Sequence, residues 1–271
     1  MTLKHDREFW DFVVERESIR QRRLLGLPRD QWTSDPIFKE YSFTNVKREH
    51  DRVTTLLRRE FYDQLTDRAH PSPVILLNAA IFSYHGTIES ARRLGWHDSW
   101  GAGSRADLIR KNEAAQARGE KIFTSAYIVP VGGYSGSKTH VVAQVVSDVW
   151  ERAENILDTD RWEVAADRLR EIWCVGGFMA KEILLDYVMA TGWVPTDWQT
   201  WTPVGPGGKL GAGYVRDGLL EKIPEDHALA VCRELYRQRE ERWPEQIFVT
   251  CSDDDSVDQI WTRRTPSLDL T

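Results

Sequence analysis

Cysteine is scarce in this sequence: three residues in 271, Cys174, Cys232 and Cys251, isolated from one another and odd in number. That excludes a disulfide framework, a four-cysteine metal site and a four-cysteine iron–sulfur cluster built by this chain alone. Long apolar runs are missing too. The longest stretch, Val74 to Phe82, is interrupted by Asn78 and falls far short of the ~20 residues of a membrane helix. The first eight residues, Met-Thr-Leu-Lys-His-Asp-Arg-Glu, lack the apolar stretch of a secretory signal. Nor is there an excess of positive charge. The formal net charge is −6 and the pI near 5.7, which by itself speaks against a nucleic-acid binder. These deficits predict a reduced, cytoplasmic protein without metal, cofactor or membrane association.

What is present is ordinary globular composition, 29% charged and 41% apolar with a mean hydropathy of −0.50, on a chain long enough for one large domain or two lobes sharing a cleft. Two features depart from the ordinary. Twelve tryptophans are several-fold above common usage. The charge is also uneven: from Asp217 onward there are 13 acids against 7 bases, while the rest of the chain carries 29 of each. The overall sign therefore does not decide the partner.

Apolar spacing and breakers predict a mostly α protein. Helices are expected over Arg7–Leu25, Asn45–Leu65, Val74–Arg93, Arg105–Arg118, Val141–Ile156, Trp162–Trp173, Phe178–Thr191 and Asp226–Arg242, with a short segment opened by Asp35-Pro36. Ile122–Val131 reads as an extended run, and Trp193–Gly213, rich in Gly, Pro and Trp, as a long loop. No repeat or long linker divides the chain. The expected organisation is one helical domain over residues 1–250, built as two lobes around a cleft, and an acidic, loose tail over 251–271.

Four segments can carry chemistry. Gly132-Gly-Tyr-Ser-Gly-Ser137-Lys138-Thr139 resembles a Walker A loop but has Ser137 where the second glycine belongs. It reads either as an anion-touching Gly turn with Lys138 or as a plain turn. Ile172-Trp-Cys-Val175-Gly176-Gly177-Phe178-Met-Ala180 places a tight Gly turn between two helices. It resembles the helix-hairpin-helix of DNA glycosylases, L-P-G-V-G-x-x-T-A, with Trp173 and Cys174 in place of Pro and Gly. In such a hairpin, backbone amides around Val175, Gly176 and Gly177 approach a DNA phosphate; an ordinary αα-hairpin is the other reading.

Asp197 follows Gly177 by twenty residues, the distance at which those glycosylases carry a functional Asp, and is flanked by Trp198 and Trp201. It reads as a general base beside rings that stack a flipped base, or as a turn cap beside core tryptophans. Finally, Phe43-Thr-Asn45-Val-x-Arg48-x-x-Asp51-Arg52 would set Arg48, Asp51 and Arg52 on neighbouring helix faces. There a carboxylate can hold an arginine fork for a phosphate, or the charges form a solvated face.

Taken together, the N-terminal block with Arg16, then Phe123-Thr-x-Ala-Tyr127, Val175–Ala180 and Pro203-Val-Gly-Pro-Gly-Gly208 resemble a family of thymine hypermodification. These are the α-glutamyl/putrescinyl thymine pyrophosphorylases, or amino acid:DNA transferases, related to the helical domain of the 5-hydroxymethyluridine DNA kinase. The resemblance spans residues 7–215 and implies a helix-hairpin-helix glycosylase-like fold. It implies double-stranded DNA carrying modified thymine as substrate and an amino acid or polyamine as co-substrate. Functional coupling to a 5-hydroxymethyluracil DNA kinase, in a bacterial or phage-infected cell, follows from the same relation.

The implied reaction is displacement of pyrophosphate from 5-(pyrophosphoryloxymethyl)uracil by an amine. Arg16, Asn45, Arg48, Arg52, Lys138 and Lys209 are then candidates for the pyrophosphate or substrate, and Asp197, followed by Asp51, for the base that takes the amine proton. Two other functions fit the same sequence. One is a non-catalytic module that binds modified DNA beside a kinase; the other is a monofunctional 5-hydroxymethyluracil glycosylase.

Overall fold

The computed structural model describes residues 1–41, 43–125, 129 and 131–242. It is mostly helical, with no strand among the described residues. Among the described residues twelve α-helices follow one another: α1 (Asp6–Leu24), α2 (Pro36–Glu40), α3 (Arg52–Glu60), α4 (Pro73–His85), α5 (Ile88–Leu94), α6 (Ala102–Ala117), α7 (Lys138–Glu151), α8 (Ala153–Leu157), α9 (Trp162–Arg170), α10 (Gly177–Thr191), α11 (Pro206–Asp217) and α12 (Glu225–Arg242). None of the described helices is long and apolar enough to cross a membrane. The chain divides into two compact units, Met1–Asp51 with the chain from Val204 onward, and Arg52–Pro203.

The first unit packs α1 against α11 and α11 against α12. Its core joins Trp10 and Val13 of α1 to Val204, Val215, Val231 and Leu235, and the Trp10 indole N–H donates to Gln238 Oε1 at 3.1 Å. The second unit is built around α4, buried continuously from Ile75 to His85 and packed by α7 and α10. A helix that is apolar on every face can only stand at the centre of a bundle. The interrupting Asn78 has a use there. Its amide donates to Val74 O and His97 O, and its Oδ1 accepts from His97 N, all within 2.9 Å. The polar break in the apolar run thus fastens the 97 loop to the core.

Four expectations are corrected. The helix expected over Asn45–Leu65 is interrupted: a 3-10 turn at Arg48–His50 ends in extended backbone at Asp51 before α3 begins. The helix expected over Val74–Arg93 stops at Gly86, left-handed at φ +62°, and Thr87 caps α5 afresh through its hydroxyl. The extended run expected at Ile122–Val131 forms no strand at its described positions; residues 126–128 and 130 lie outside them. The loop expected over Trp193–Gly213 is a helix from Pro206, where Pro at the first helical position offsets the four glycines that follow. The tail expected over 251–271 lies outside the described residues.

Candidate DNA-facing site

The Gly turn of the sequence lies between α9 and α10. Val175 N–H donates to Ile172 O at 3.0 Å, and both side chains are buried, which anchors the turn from inside. Cys174, standing where the hairpin pattern has glycine, is left-handed at φ +64°, alone in this among the described non-glycine residues. Such a conformation costs an L-residue about 1–2 kcal/mol. The Tyr84 hydroxyl holds it by donating to Cys174 O at 3.0 Å, and partial burial pushes the thiol up. The turn delivers exposed Gly176 as N-cap of α10, a residue with no side chain of its own to cap the helix. The first-turn amides carry the positive end of a 15-residue helix.

The glycine loop 132–137 packs onto this turn. A Cβ at Gly132 would come within 2.5 Å of Trp173 Nε1 and 2.8 Å of Cys174 Sγ, so only glycine permits the approach. Trp173 and Tyr134 remain 44% and 48% exposed, an unusual state for large rings at adjoining loops. The loop ends where Ser137 caps α7 and exposed Lys138 opens that helix. The Walker A likeness stops at Ser137, which caps the helix where the pattern has its second glycine. The buried face of α10 carries charge that periodicity did not anticipate. Lys181 Nζ lies 3.4 Å from Glu182 Oε1, and Ser83 Oγ donates to Asp186 Oδ2 at 2.8 Å.

Asp197 is buried, and its two carboxylate oxygens accept the N–H groups of Trp162 and Glu163 at 2.6 and 2.9 Å. It therefore caps α9, which has no cap from its own N-cap residue Arg161. Arg161 Nε adds a charge at 3.8 Å. Of the two readings of this residue, the geometry is that of the cap: a carboxylate with both oxygens given to amides is ill placed to accept a proton from substrate. Trp198 stacks on buried Trp162 with centroids 4.3 Å apart, so one of its faces is spent on the core. Trp201 is half-buried.

The remaining candidates separate. Arg16 donates to Thr44 O from two nitrogens at 3.1 and 2.5 Å, to Thr44 Oγ1 at 2.9 Å and to Asn45 O at 3.3 Å. Asn45 in turn donates to His50 O at 2.7 Å. Both line a cavity in the first unit together with Arg20, Arg23, Arg29 and Trp32, residues that the sequence reading did not assign. The signal was there, in arginines at positions 16, 20 and 23 of one helix. Arg48 is the first residue of the 3-10 turn, exposed Asp51 follows its end, and Arg52 begins α3 in the other unit. The single helix face expected for this trio does not form, because the backbone is extended at Asp51. Lys209 Nζ is 2.9 Å from Glu225 Oε2. No group of metal-ligand side chains occurs among the described residues.

A family model described as the helical domain of 5-hmdU DNA kinase matches residues 4–252. A 5-hmdU DNA kinase of Bacillus phage SP10 is 31% identical over 234 residues, which is 78% of this chain and 36% of the relative. The chain thus spans about a third of that relative's length. No solved structure matches. Of the two related families suggested by the sequence blocks, the match is to the kinase's domain, and it covers nearly all the described helices: this chain belongs to the 5-hmdU DNA kinase helical-domain family.

Proposed function

We propose that this chain acts on double-stranded DNA carrying a 5-substituted thymine, replacing the pyrophosphate of 5-(pyrophosphoryloxymethyl)uracil with the amine of an amino acid or polyamine. The observation that carries the reading is the turn between α9 and α10, where left-handed Cys174 and exposed Gly176 open α10 in the way a glycosylase-like hairpin would present backbone amides to a DNA phosphate. Exposed Trp173, Tyr134 and Lys138 extend the same surface toward a duplex. The family supports modified thymine as the target.

In the reaction, the amine nitrogen bonds to the exocyclic methylene carbon while the carbon–oxygen bond breaks, and pyrophosphate leaves with the electron pair. Arginines, Arg16 among them, stabilise that anion. The ammonium proton passes to a carboxylate or to water. Exposed Asp51 takes the role of base, and Asp197 positions α9.

The test is mass spectrometry of digested nucleosides. A duplex bearing the pyrophosphorylated base is incubated with the chain and pooled amines; a nucleoside heavier by one amine and free pyrophosphate are expected. Release of free base would establish a glycosylase instead. One observation favours a second reading. Because Asp197 is committed to a helix end, only Asp51 of the two candidate carboxylates is left to take the amine proton, and a module that binds modified DNA beside a kinase fits the same hairpin. Binding of the modified duplex with no adduct identifies that role.

A further inference from the structure

Arg16, Arg20 and Arg23 stand at intervals of four and three residues along α1, which stacks their guanidiniums on one side of the helix. Gly26, at φ +73°, turns the chain, and the segment that follows brings Arg29, Trp32, Tyr41 and Phe43 to the same cavity. Its volume is about 110 Å3, room for several groups the size of water at about 10–15 Å3 each.

No acidic side chain among the described residues lines this cavity. The carboxylate nearest to its arginines in the hydrogen-bond network, Glu17, is fully buried and grips Arg20 through contacts of 2.5 to 3.0 Å. That fixes Arg20 without covering the cavity. Arg16 is fixed by Thr44, and Arg23 lies over the Trp32 ring at 5.2 Å. Arg29 is exposed and has no ion pair among the described residues. Glu17 meets the charge of Arg20, and the guanidiniums of Arg16, Arg23 and Arg29 line the same space, where their mutual repulsion favours an anion. Beside them Tyr41 and Phe43 are 59% and 41% exposed, flat apolar surface on which a ring can stack.

The geometry points to a binding site for a phosphorylated pyrimidine, best a diphosphorylated one, with phosphates among Arg16, Arg20, Arg23 and Arg29 and the ring on Tyr41 and Phe43. This deepens the reading above and rests on it, since that substrate presents a pyrophosphate next to a base. The arginines on α1 are pre-positioned by protein contacts, so the anion meets them without first ordering them.

Titration calorimetry of the full chain tests the site with three probes: thymidine 5′-diphosphate, inorganic pyrophosphate and thymidine. The diphosphate is expected to bind most tightly, pyrophosphate more weakly, and thymidine not measurably. Arg23→Gln and Arg29→Gln, at exposed positions, should each weaken both phosphate probes about tenfold or more, the loss of one charge-assisted contact. Tyr41→Ala should weaken the nucleotide and leave pyrophosphate unchanged. Arg110→Gln, the same charge loss on exposed α6 of the other unit, should change neither. Equal binding of thymidine and its diphosphate, or arginine variants that bind pyrophosphate like the parent, overturns the site. The probes contain neither DNA nor amine. Conversion of modified duplex by a chain that binds no probe overturns this site alone; probe binding by a chain inert toward modified duplex overturns the functional reading alone.

Discussion

Replacing Asp197 separates a structural carboxylate from a catalytic one. Two backbone amides, Trp162 N at 2.6 Å and Glu163 N at 2.9 Å, depend on it, and it is the side-chain cap of α9. Loss of a cap costs about 0.5–2 kcal/mol, and stranding donors beside a buried site adds about 1–3 kcal/mol. Asp197→Ala should therefore destabilise the protein by about 2–4 kcal/mol. Asp197→Asn keeps one acceptor but loses the charge at the helix N-terminus and turns an amide NH2 toward a backbone donor, so about 1–3 kcal/mol is expected. Urea unfolding followed by circular dichroism measures both, and activity is normalised to the folded fraction. The expected result is an ordered loss of stability, Ala more than Asn, with turnover per folded molecule within a factor of a few. An Asn variant of full stability whose turnover falls by the 10²–10⁴ of a missing general base would refute the capping argument.

Cys174→Gly should stabilise the hairpin by up to about 1 kcal/mol, because glycine accepts φ +64° without strain; an unchanged or lower unfolding midpoint counts against strain at the turn. Gly132→Ala drives a Cβ to 2.5 Å from Trp173 Nε1 and should cost about 1–3 kcal/mol, with a shift in tryptophan emission as Trp173 is displaced. Stability should also fall with acid through His85. Arg93 donates to Asn112 Oδ1, so the Asn112 amide donates to His85 Nε2 while Nδ1–H donates to Ile81 O, and burial pushes this imidazole down to about 4 from 6.5. The unfolded chain then binds the extra proton first, so the contribution is present above pH 6.5 and is lost as the pH falls toward 4, by about 3 kcal/mol in all. His85→Gln should flatten that part of the pH–stability profile; a parent profile level from pH 7 to 4.5 would contradict it.

Much of the helical pattern was legible, because apolar spacing and breakers act locally. Gly26 and Gly192 end α1 and α10 within a residue of where the sequence puts them. The turn between α9 and α10 was legible through Gly176 and Gly177, and it takes a backbone shape that Tyr84 and the buried Ile172 and Val175 impose on Cys174. The role of Asp197 was not legible. Whether a carboxylate caps a helix or takes a proton depends on Trp162 and Glu163, more than thirty residues away, and spacing says nothing of that contact. The face expected for Arg48, Asp51 and Arg52 failed for a similar reason, as the apolar period of 45–65 continues through a backbone break. The cavity of the first unit was hidden because Trp32, Tyr41 and Phe43 follow no helical period with Arg16.

The function proposed for this chain requires it to recognise a substituted thymine in DNA. Equilibrium binding to two duplexes, identical except for one 5-(pyrophosphoryloxymethyl)uracil in place of thymine, tests it most directly, over a series of salt concentrations. A preference of at least tenfold for the modified duplex is expected, persisting as salt rises and non-specific phosphate binding is screened away. Equal affinity for the two duplexes at every salt concentration would contradict it.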